Sequence, residues 1–412
     1  MRIVNKVCCG LDVHKRTVTA CLLKWGARGP TVKQTRTFET TTTQLLELSD
    51  WLTSHGCQHV AMESTGVYWK PVYNILAGVC REVLLVNAQH VKNVPGRKTD
   101  VKDAEWIAEL LSYGLLRGSF IPPKEIRELR DLTRYRTTLI RQRADQCNRI
   151  QKLLEDCNIK LASVATDILG VSGWEMLTAL AAGETDAHRL AKLARGRLRK
   201  KIPQLAEALR GVVSPTQRWL LSQQLAHVAH LERMIGELNQ QIEKLTAPFF
   251  PLIEKLCAIP GISRHLAEVI IAEIGVDMKQ FPSAEHLASW ASICPGNRES
   301  GGKRHSGRTR QGNPWLKAAL AEAAWAASHT KNTYLSARYR NLARRRGRKR
   351  AVLGVGHTIL KITYHLLADP EKQYADLGAD YYETRSKERL AASLIRRLHK
   401  LGYTVNFDPT AA

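Results

Sequence analysis

The sequence predicts an α/β domain at the N-terminus, a helical coiled-coil region after it, and a mostly α domain at the C-terminus. Three observations carry this. Three strand-like runs lead into alternating strands and helices within residues 1–122. A heptad of aliphatic residues runs from Leu221 to Leu245. Beyond Pro248 and Pro251 the chain consists mainly of apolar helical stretches separated by Pro and Gly.

In order, residues 5–25 read as strand, tight turn and strand, and TVKQTRTFE at 31–39 as a third strand, together an antiparallel meander. Leu45, Leu46, Leu48, Trp51 and Leu52 recur at helical spacing within 42–55. Strand 58–62, helix 67–79, strand 81–86 and helix 102–113 follow. Pro122 and Pro123 mark a boundary, and Glu125 to Cys157 reads as one long helix with arginines spread around it. Leu221, Leu225, Val228, Leu231, Ile235, Leu238, Ile242 and Leu245 are spaced by three or four, which predicts a coiled coil pairing within one chain or between protomers. Residues 160–215 carry no clear pattern, and RGRLRKK at 195–201 reads first as a solvated face. LCAIPGISRHLAEVIIAEIG looks like a helix-hairpin-helix, whose turn exposes backbone N–H groups to a phosphate, or a purely structural αα-hairpin. Helices are expected at 314–329 and 351–367, with a loose helix and frayed end over the last forty or so residues.

Lys and Arg number 62 against 38 acids, a net charge of +24, which points to a polyanion as partner. No run approaches the roughly 18 apolar residues of a spanning helix, and MRIVNKV lacks a signal-peptide core, so a membrane is not expected. Nine cysteines without a CxxC pair fit reduced, buried thiols in a soluble, cytoplasmic protein. The fourteen histidines form no HExxH cluster.

Chemistry concentrates in two places. Asp12 ends the first strand in VCCGLDVHK; such an aspartate is ordinarily a turn residue, but three more acids stand in similar settings. Glu63 closes HVAME, and Asp100 and Asp103 lie three apart where a helix begins, so both can face one way. Four acids in a basic chain repel one another unless a cation lies between them, and an all-oxygen set suits Mg²⁺. The set Asp12, Glu63, Asp100 and Asp103 is therefore read as a holder for a metal pair about 4 Å apart, which clamps both oxygens in phosphoryl transfer.

The second place is CPGNRESGGKRHSGRTRQGNP, where Arg298, Lys303, Arg304, Arg308 and Arg310 surround Ser300. A basic loop of this kind ordinarily binds phosphate without specificity. Gly301 and Gly302, however, allow a phosphate to approach the backbone beside a serine hydroxyl, which makes Ser300 a candidate nucleophile, with Ser306 its local rival. A further basic run, Arg344, Arg345, Arg346, Arg348, Lys349 and Arg350, most simply grips a nucleic-acid backbone.

The order of three strands, a helix, and alternating strands and helices resembles the RNase H-like fold in its RuvC-type form. With GLDVHK, MESTG, KTDVKDA, IPGIS and NRESGGK in hand, the chain resembles the DEDD-type transposases of bacterial insertion sequences that act as bridge-RNA-guided serine recombinases. The resemblance spans nearly the whole chain apart from 160–215 and the C-terminal tail. It implies a RuvC-like domain at 1–122, a coiled-coil dimerisation region at 123–250 and a transposase domain at 251–412. It also implies Mg²⁺ at Asp12, Glu63, Asp100 and Asp103, and a 5′-phosphoserine intermediate at Ser300. The implied partners are donor and target double-stranded DNA, a structured guide RNA, and further copies of the chain, a homodimer assembling into a homotetramer on DNA. The alternatives are a RuvC-like Holliday-junction nuclease that uses metal-activated water, and a non-catalytic nucleic-acid scaffold.

Overall fold

The computed structural model describes residues 2–26, 29–63, 66–86, 100–295, 298–300, 303–306, 309, 312–385 and 387–404. Of residues 100–102, 298–300, 303–306, 383, 385 and 387–390 it describes the backbone. The chain divides into two units, Met1–Ile121 and Pro122–Ala412.

The first unit is built on a five-stranded sheet of order β3-β2-β1-β4-β5. Strands β1 (Val7–Val13), β2 (Thr17–Gly26) and β3 (Gly29–Glu39) form the expected antiparallel meander. Strands β4 (His59–Glu63) and β5 (Glu82–Val86) add in parallel on the other side of β1. Because β1 is covered on both faces, it reads as a continuous apolar run rather than an alternating one. Cys9, Leu11 and Val13 face a core with α1 (Thr42–Ser54) and α2 (Trp69–Leu76), where Leu48 and Leu52 are fully buried. Each such leucine contributes about 1.5–3 kcal/mol relative to exposure. Cys8, with Cys21, Leu23 and Ala61, faces α3 (Asp100–Ser112) through Ala104, Ile107, Ala108 and Leu111.

All nine cysteines are free and six are buried, as their apolar settings suggest. Burial pushes the Cys8 and Cys57 thiols up to about 12, so they pack as small apolar groups.

In the second unit, α4 (Lys124–Asp156) and α9 (Pro215–Thr246) pair along their length, so the heptad seam is engaged within one chain. Leu221, Leu225, Val228, Leu231 and Ile242 are buried, while Ile235, Leu238 and Leu245 are half-buried. Residues 160–215, which show no pattern in the sequence, fold as short helices α5 (Leu161–Val164), α6 (Val171–Ala181), α7 (Ala187–Lys192) and α8 (Ile202–Ala208). These share a core with the ends of α4 and α9, through Ile150, Leu177, Leu205 and Leu225 among others. Helices of four to eleven residues are too brief for a 3.6-residue period to register, which is why no pattern marks them. The RGRLRKK run lies in a 3₁₀ helix, Gly196–Lys201, with no buried residue.

The rest comprises α10 (Phe250–Cys257), α11 (Arg264–Ile274), α12 (Ala284–Trp290), α13 (Pro314–His329), α14 (Tyr334–Arg346) and α15 (Arg348–Ala368). Two short helices, α16 (Tyr381–Arg385) and α17 (Lys387–Lys400), complete it. Helix α11 is buried from Leu266 to Ile274. The turn before it holds Gly261 at φ 89°, and a Cβ there would lie 2.2 Å from the Ala323 carbonyl oxygen. The Pro-Gly turn thus has a packing role, letting α13 pass over it.

Helix α15 is long and apolar enough to cross a membrane by length and composition alone. It nevertheless acts as a core helix, burying Val355, Ile359, Leu360 and Leu366 against α12, α13 and α14. Small residues and interspersed histidines dilute its signal in the sequence.

Candidate active site

The N-terminal acids are set by one close approach. A Cβ on Gly10 would lie 2.2 Å from the Ala104 carbonyl oxygen and 2.4 Å from the Ala108 nitrogen, so α3 crosses β1 at a distance only glycine permits. The helix runs antiparallel to the strand: Val4 N donates to Ser112 O at 2.8 Å, Asn5 Nδ2 to Leu111 O at 2.9 Å, and Cys8 Sγ to Ala108 O at 3.5 Å. Followed toward the end of β1, that register leads to the first turn of α3, which carries Asp100 and Asp103.

Side-chain alternation supplies the rest. Asp12 stands two residues beyond Gly10 and so shares the α3 face of the sheet. Ala61 pairs with Gly10 and belongs to the α3-side core, so Glu63, two residues further, points to that same face. The buried stripe Ala104, Ile107, Ala108 and Leu111 continues one turn back, at intervals of four, to the positions of Asp100 and Asp103. Asp12, Glu63 and Asp103 are each half-buried. The side chain of Asp100 lies outside the described residues. Among the described residues, no three His, Cys, Asp or Glu side chains stand close enough to hold a metal ion. The donor chemistry of the edge nonetheless fits Mg²⁺, since every acid on it offers oxygen alone.

One neighbour of these acids escapes a search for clustered histidines. His14 Nε2 lies 3.0 Å from Asp12 Oδ2. The two are i and i+2 at a strand end, and that spacing, which points side chains to one side, is the signal the sequence offers.

In the second unit, the stretch read as a Gly-rich loop contains a hairpin, β6 (Arg298–Ser300) with β7 (Lys303–Ser306). Ser300 pairs with Lys303, Glu299 with Arg304, and Arg298 with Ser306. Ser300 and Ser306 therefore sit at opposite ends of the ladder, the first at its tip beside Gly301 and Gly302. Gly301, Gly302, Arg308 and Arg310 lie outside the described residues.

The hairpin segment is tied at its root. A Cβ on Gly312 would lie 2.4 Å from Ser292 Cβ, so the chain leaves and re-enters the unit at one point. Asn313 caps α13, accepting from Trp315 N and Leu316 N at 3.1 Å, while its amide nitrogen donates to Glu273 Oε2. Glu273 is fully buried and takes two hydrogen bonds from Arg134, at 2.7 and 2.8 Å, with Arg130 at 3.5 Å. Arg136, 4% exposed, pairs with Glu268 at 2.7 Å. These three arginines, read in the sequence as spread around a helix, are thus committed inside the protein.

The second basic run is helical with a break at Gly347, φ 80°. Arg344, Arg345 and Arg346 close α14, and Arg348, Lys349 and Arg350 open α15; all six are exposed. Cations in the first turn of a helix oppose its dipole, so the α15 set is not there to stabilise the helix.

Two family models match the chain: a DEDD-type transposase model over residues 9–159, and one described as "Transposase IS116/IS110/IS902 family" over 253–340. Residues 9–159 and 253–340 are thus each similar to a domain of the IS110/IS116/IS902 transposases. It is 24% identical to the "Transposase for insertion sequence element IS1111A" of Coxiella burnetii over 372 residues, 88% of this chain and 90% of that one. It is 28% identical over 303 residues to an IS110 insertion-element protein of Streptomyces coelicolor, 67% of this chain and 72% of the relative. A pilin gene-inverting protein of Moraxella bovis is 24% identical over 311 residues, 72% and 75% of the two chains. The first family match covers Asp12, Glu63, Asp100 and Asp103 together with α4, and the second covers the hairpin and α14 as far as Arg340.

Proposed function

We propose that this transposase is a recombinase whose active site combines the acidic edge of the N-terminal sheet with Ser300 of the hairpin, contributed within or between protomers. The order β3-β2-β1-β4-β5, with an antiparallel meander followed by parallel strands, supports an RNase H-like, RuvC-type reading of residues 1–122. The observation that carries the proposal is the crossing at Gly10, which directs the acid-bearing ends of β1, β4 and α3 toward one edge.

Asp12, Glu63, Asp100 and Asp103 would hold Mg²⁺, which when bound supplies Lewis-acid polarisation of the scissile phosphate. The Ser300 hydroxyl oxygen attacks phosphorus as its proton departs. An O–P ester to serine forms, the P–O3′ bond breaks, and the 3′ oxygen leaves as a hydroxyl after taking up a proton. One phosphoester replaces another, so a 3′-hydroxyl from a second strand can reverse the step and complete exchange. Arg298, Lys303, Arg304, Arg308 and Arg310 neutralise the phosphate.

A structured guide RNA would pair with donor and target DNA, leaving the protein to recognise backbone and shape. The charge of +24 supports two polyanionic partners. Dimerisation through residues 123–250, and a tetramer on DNA, would use the half-buried Ile235, Leu238 and Leu245 on α9. The relative named for inverting a pilin gene favours exchange over hydrolysis.

Covalent trapping tests the proposal. Incubated with Mg²⁺, cognate RNA and DNA, the protein is expected to form a denaturation-resistant DNA adduct that Ser300→Ala abolishes and Ser306→Ala retains. Strand cleavage at wild-type rate by Ser300→Ala, with no adduct, would instead identify a RuvC-like nuclease using metal-activated water.

A further inference from the structure

A cavity of about 510 Å³ opens between α14, α15 and the segment Lys372–Leu377, and nothing in the transposition scheme uses it. Its volume lies in the range of small-molecule sites, about 300–1,000 Å³. Three cations reach it, Arg338, Lys361 and Lys372. Arg338 Nη1 donates to Tyr334 Oη at 3.3 Å and Tyr382 Oη at 3.0 Å, while its Nε is buried without a hydrogen-bond partner. The Lys372 ammonium makes no ion pair among the described residues. Lys361 binds Glu285 at 2.6 Å, and that contact holds the Glu285 carboxyl down at about 2, so the pair stays ionised. Asp376, the other nearby acid, is used internally, accepting from Tyr374 Oη at 2.7 Å and Tyr334 N at 2.8 Å.

The opposite character also lines the cavity. Ile362, Leu366 and Leu377 offer apolar surface, and Tyr334 and Tyr374 offer rings. Tyr334 is held by Tyr382, stacked at 6.0 Å, and by Tyr381, edge-on at 5.0 Å, so its plane is fixed before anything binds. The chain is poor in aromatics, yet four of its eleven tyrosines gather here. Cations beside fixed rings over an apolar floor match one ligand chemistry: a nucleobase carrying a phosphate. A nearby track exists, since Arg338 and the exposed Arg346 lie on one helix, eight residues and about 12 Å apart.

We infer that this cavity receives one unstacked nucleotide of a single-stranded segment, its base against Tyr334, Tyr374 and the aliphatic floor, and its phosphate against Lys372 and Arg338. A duplex cannot present such a nucleotide without unpairing it, so the pocket selects unpaired strand over duplex. The assignment is independent of Ser300 and of the metal-binding edge.

The test uses the full chain and oligonucleotides carrying 2-aminopurine at one internal position, in a DNA arm, an RNA arm and a fully paired duplex of the same sequence. Lys372→Glu reverses the charge offered to the phosphate, and Thr358→Trp fills the cavity from α15; thermal melting checks that each folds. The expected result is 2-aminopurine quenching by wild type, with single-strand binding about tenfold weaker in both variants and duplex binding within twofold. A loss confined to the DNA arm, or to the RNA arm, names the strand the pocket serves. Unchanged single-strand binding in a folded variant overturns the inference, as does an equal loss on duplex, which reports charge alone. Adduct formation through Ser300 is unaffected by that failure, so the two readings fall separately.

Discussion

In the helical unit, Glu273 is fully buried and takes both of Arg134's hydrogen bonds, with Arg130 and Asn313 completing its surroundings. In the sheet unit, Asp12 and Glu63 stand half-buried at the ends of adjacent strands, and Asp103 at the start of the helix that crosses them. Both groups are carboxylates in a chain of net charge +24, and their surroundings assign them different work. An acid saturated by guanidinium groups in a dry interior has no oxygen left for a ligand and holds helices together. Acids directed toward one edge of a sheet by a close helix crossing are, on the proposed reading, the ones a hard cation would draw together.

That contrast gives its largest effect in stability. Glu273→Ala removes the carboxylate that Arg134 and Asn313 bind, leaving Arg130 only the carbonyl oxygens of residues 272 and 273, and should cost about 3–5 kcal/mol, read as a lower denaturant midpoint. Asp12→Asn should leave the midpoint near wild type while strand exchange falls to background. If the two substitutions destabilise equally, the division between structural and chemical acids is wrong.

Gly10→Ala comes next. Its Cβ meets backbone 2.2 Å away, so α3 must shift, at a cost of about 1–3 kcal/mol or more, and the acids on its first turn move with it. The expected outcome is a moderate loss of stability with a disproportionate loss of exchange. A loss of stability alone would show that the crossing packs the sheet without positioning the site.

The smallest effect tests cations that no fold requires. Replacing Arg348, Lys349 and Arg350 with Gln should leave stability equal or raised by a few tenths of a kcal/mol, because they oppose the α15 dipole. The slope of log affinity against log salt on duplex DNA should become shallower by about 0.9 for each phosphate that is no longer neutralised. A slope that does not move would remove this run from the nucleic-acid surface.

The same contrast explains what the sequence could disclose. All five strands of the first unit are legible to within a few residues, because alternation and turn chemistry are local signals. Asp12 and Glu63 are legible for the same reason, each closing an apolar run. The partners of Arg130, Arg134 and Arg136 lie more than 100 residues away along the chain, so nothing local separates these internal guanidinium groups from surface ones. Gly261 looks like a phosphate-binding turn in the sequence because the helix that packs over it comes some sixty residues later. The stretch around Ser300 looks like a plain basic loop in the sequence, because the short strands that pair Ser300 with Lys303 are too brief to register as alternation.

The central claim is that Asp12, Glu63 and the first-turn acids of α3 form one oxygen cluster for a divalent cation. Mn²⁺ binding followed by electron paramagnetic resonance, in wild type and in Asp12→Asn, Glu63→Gln and Asp103→Asn, tests it most directly. Tight binding in wild type that each single substitution weakens is the predicted result; equal Mn²⁺ affinity in all four folded proteins would contradict it.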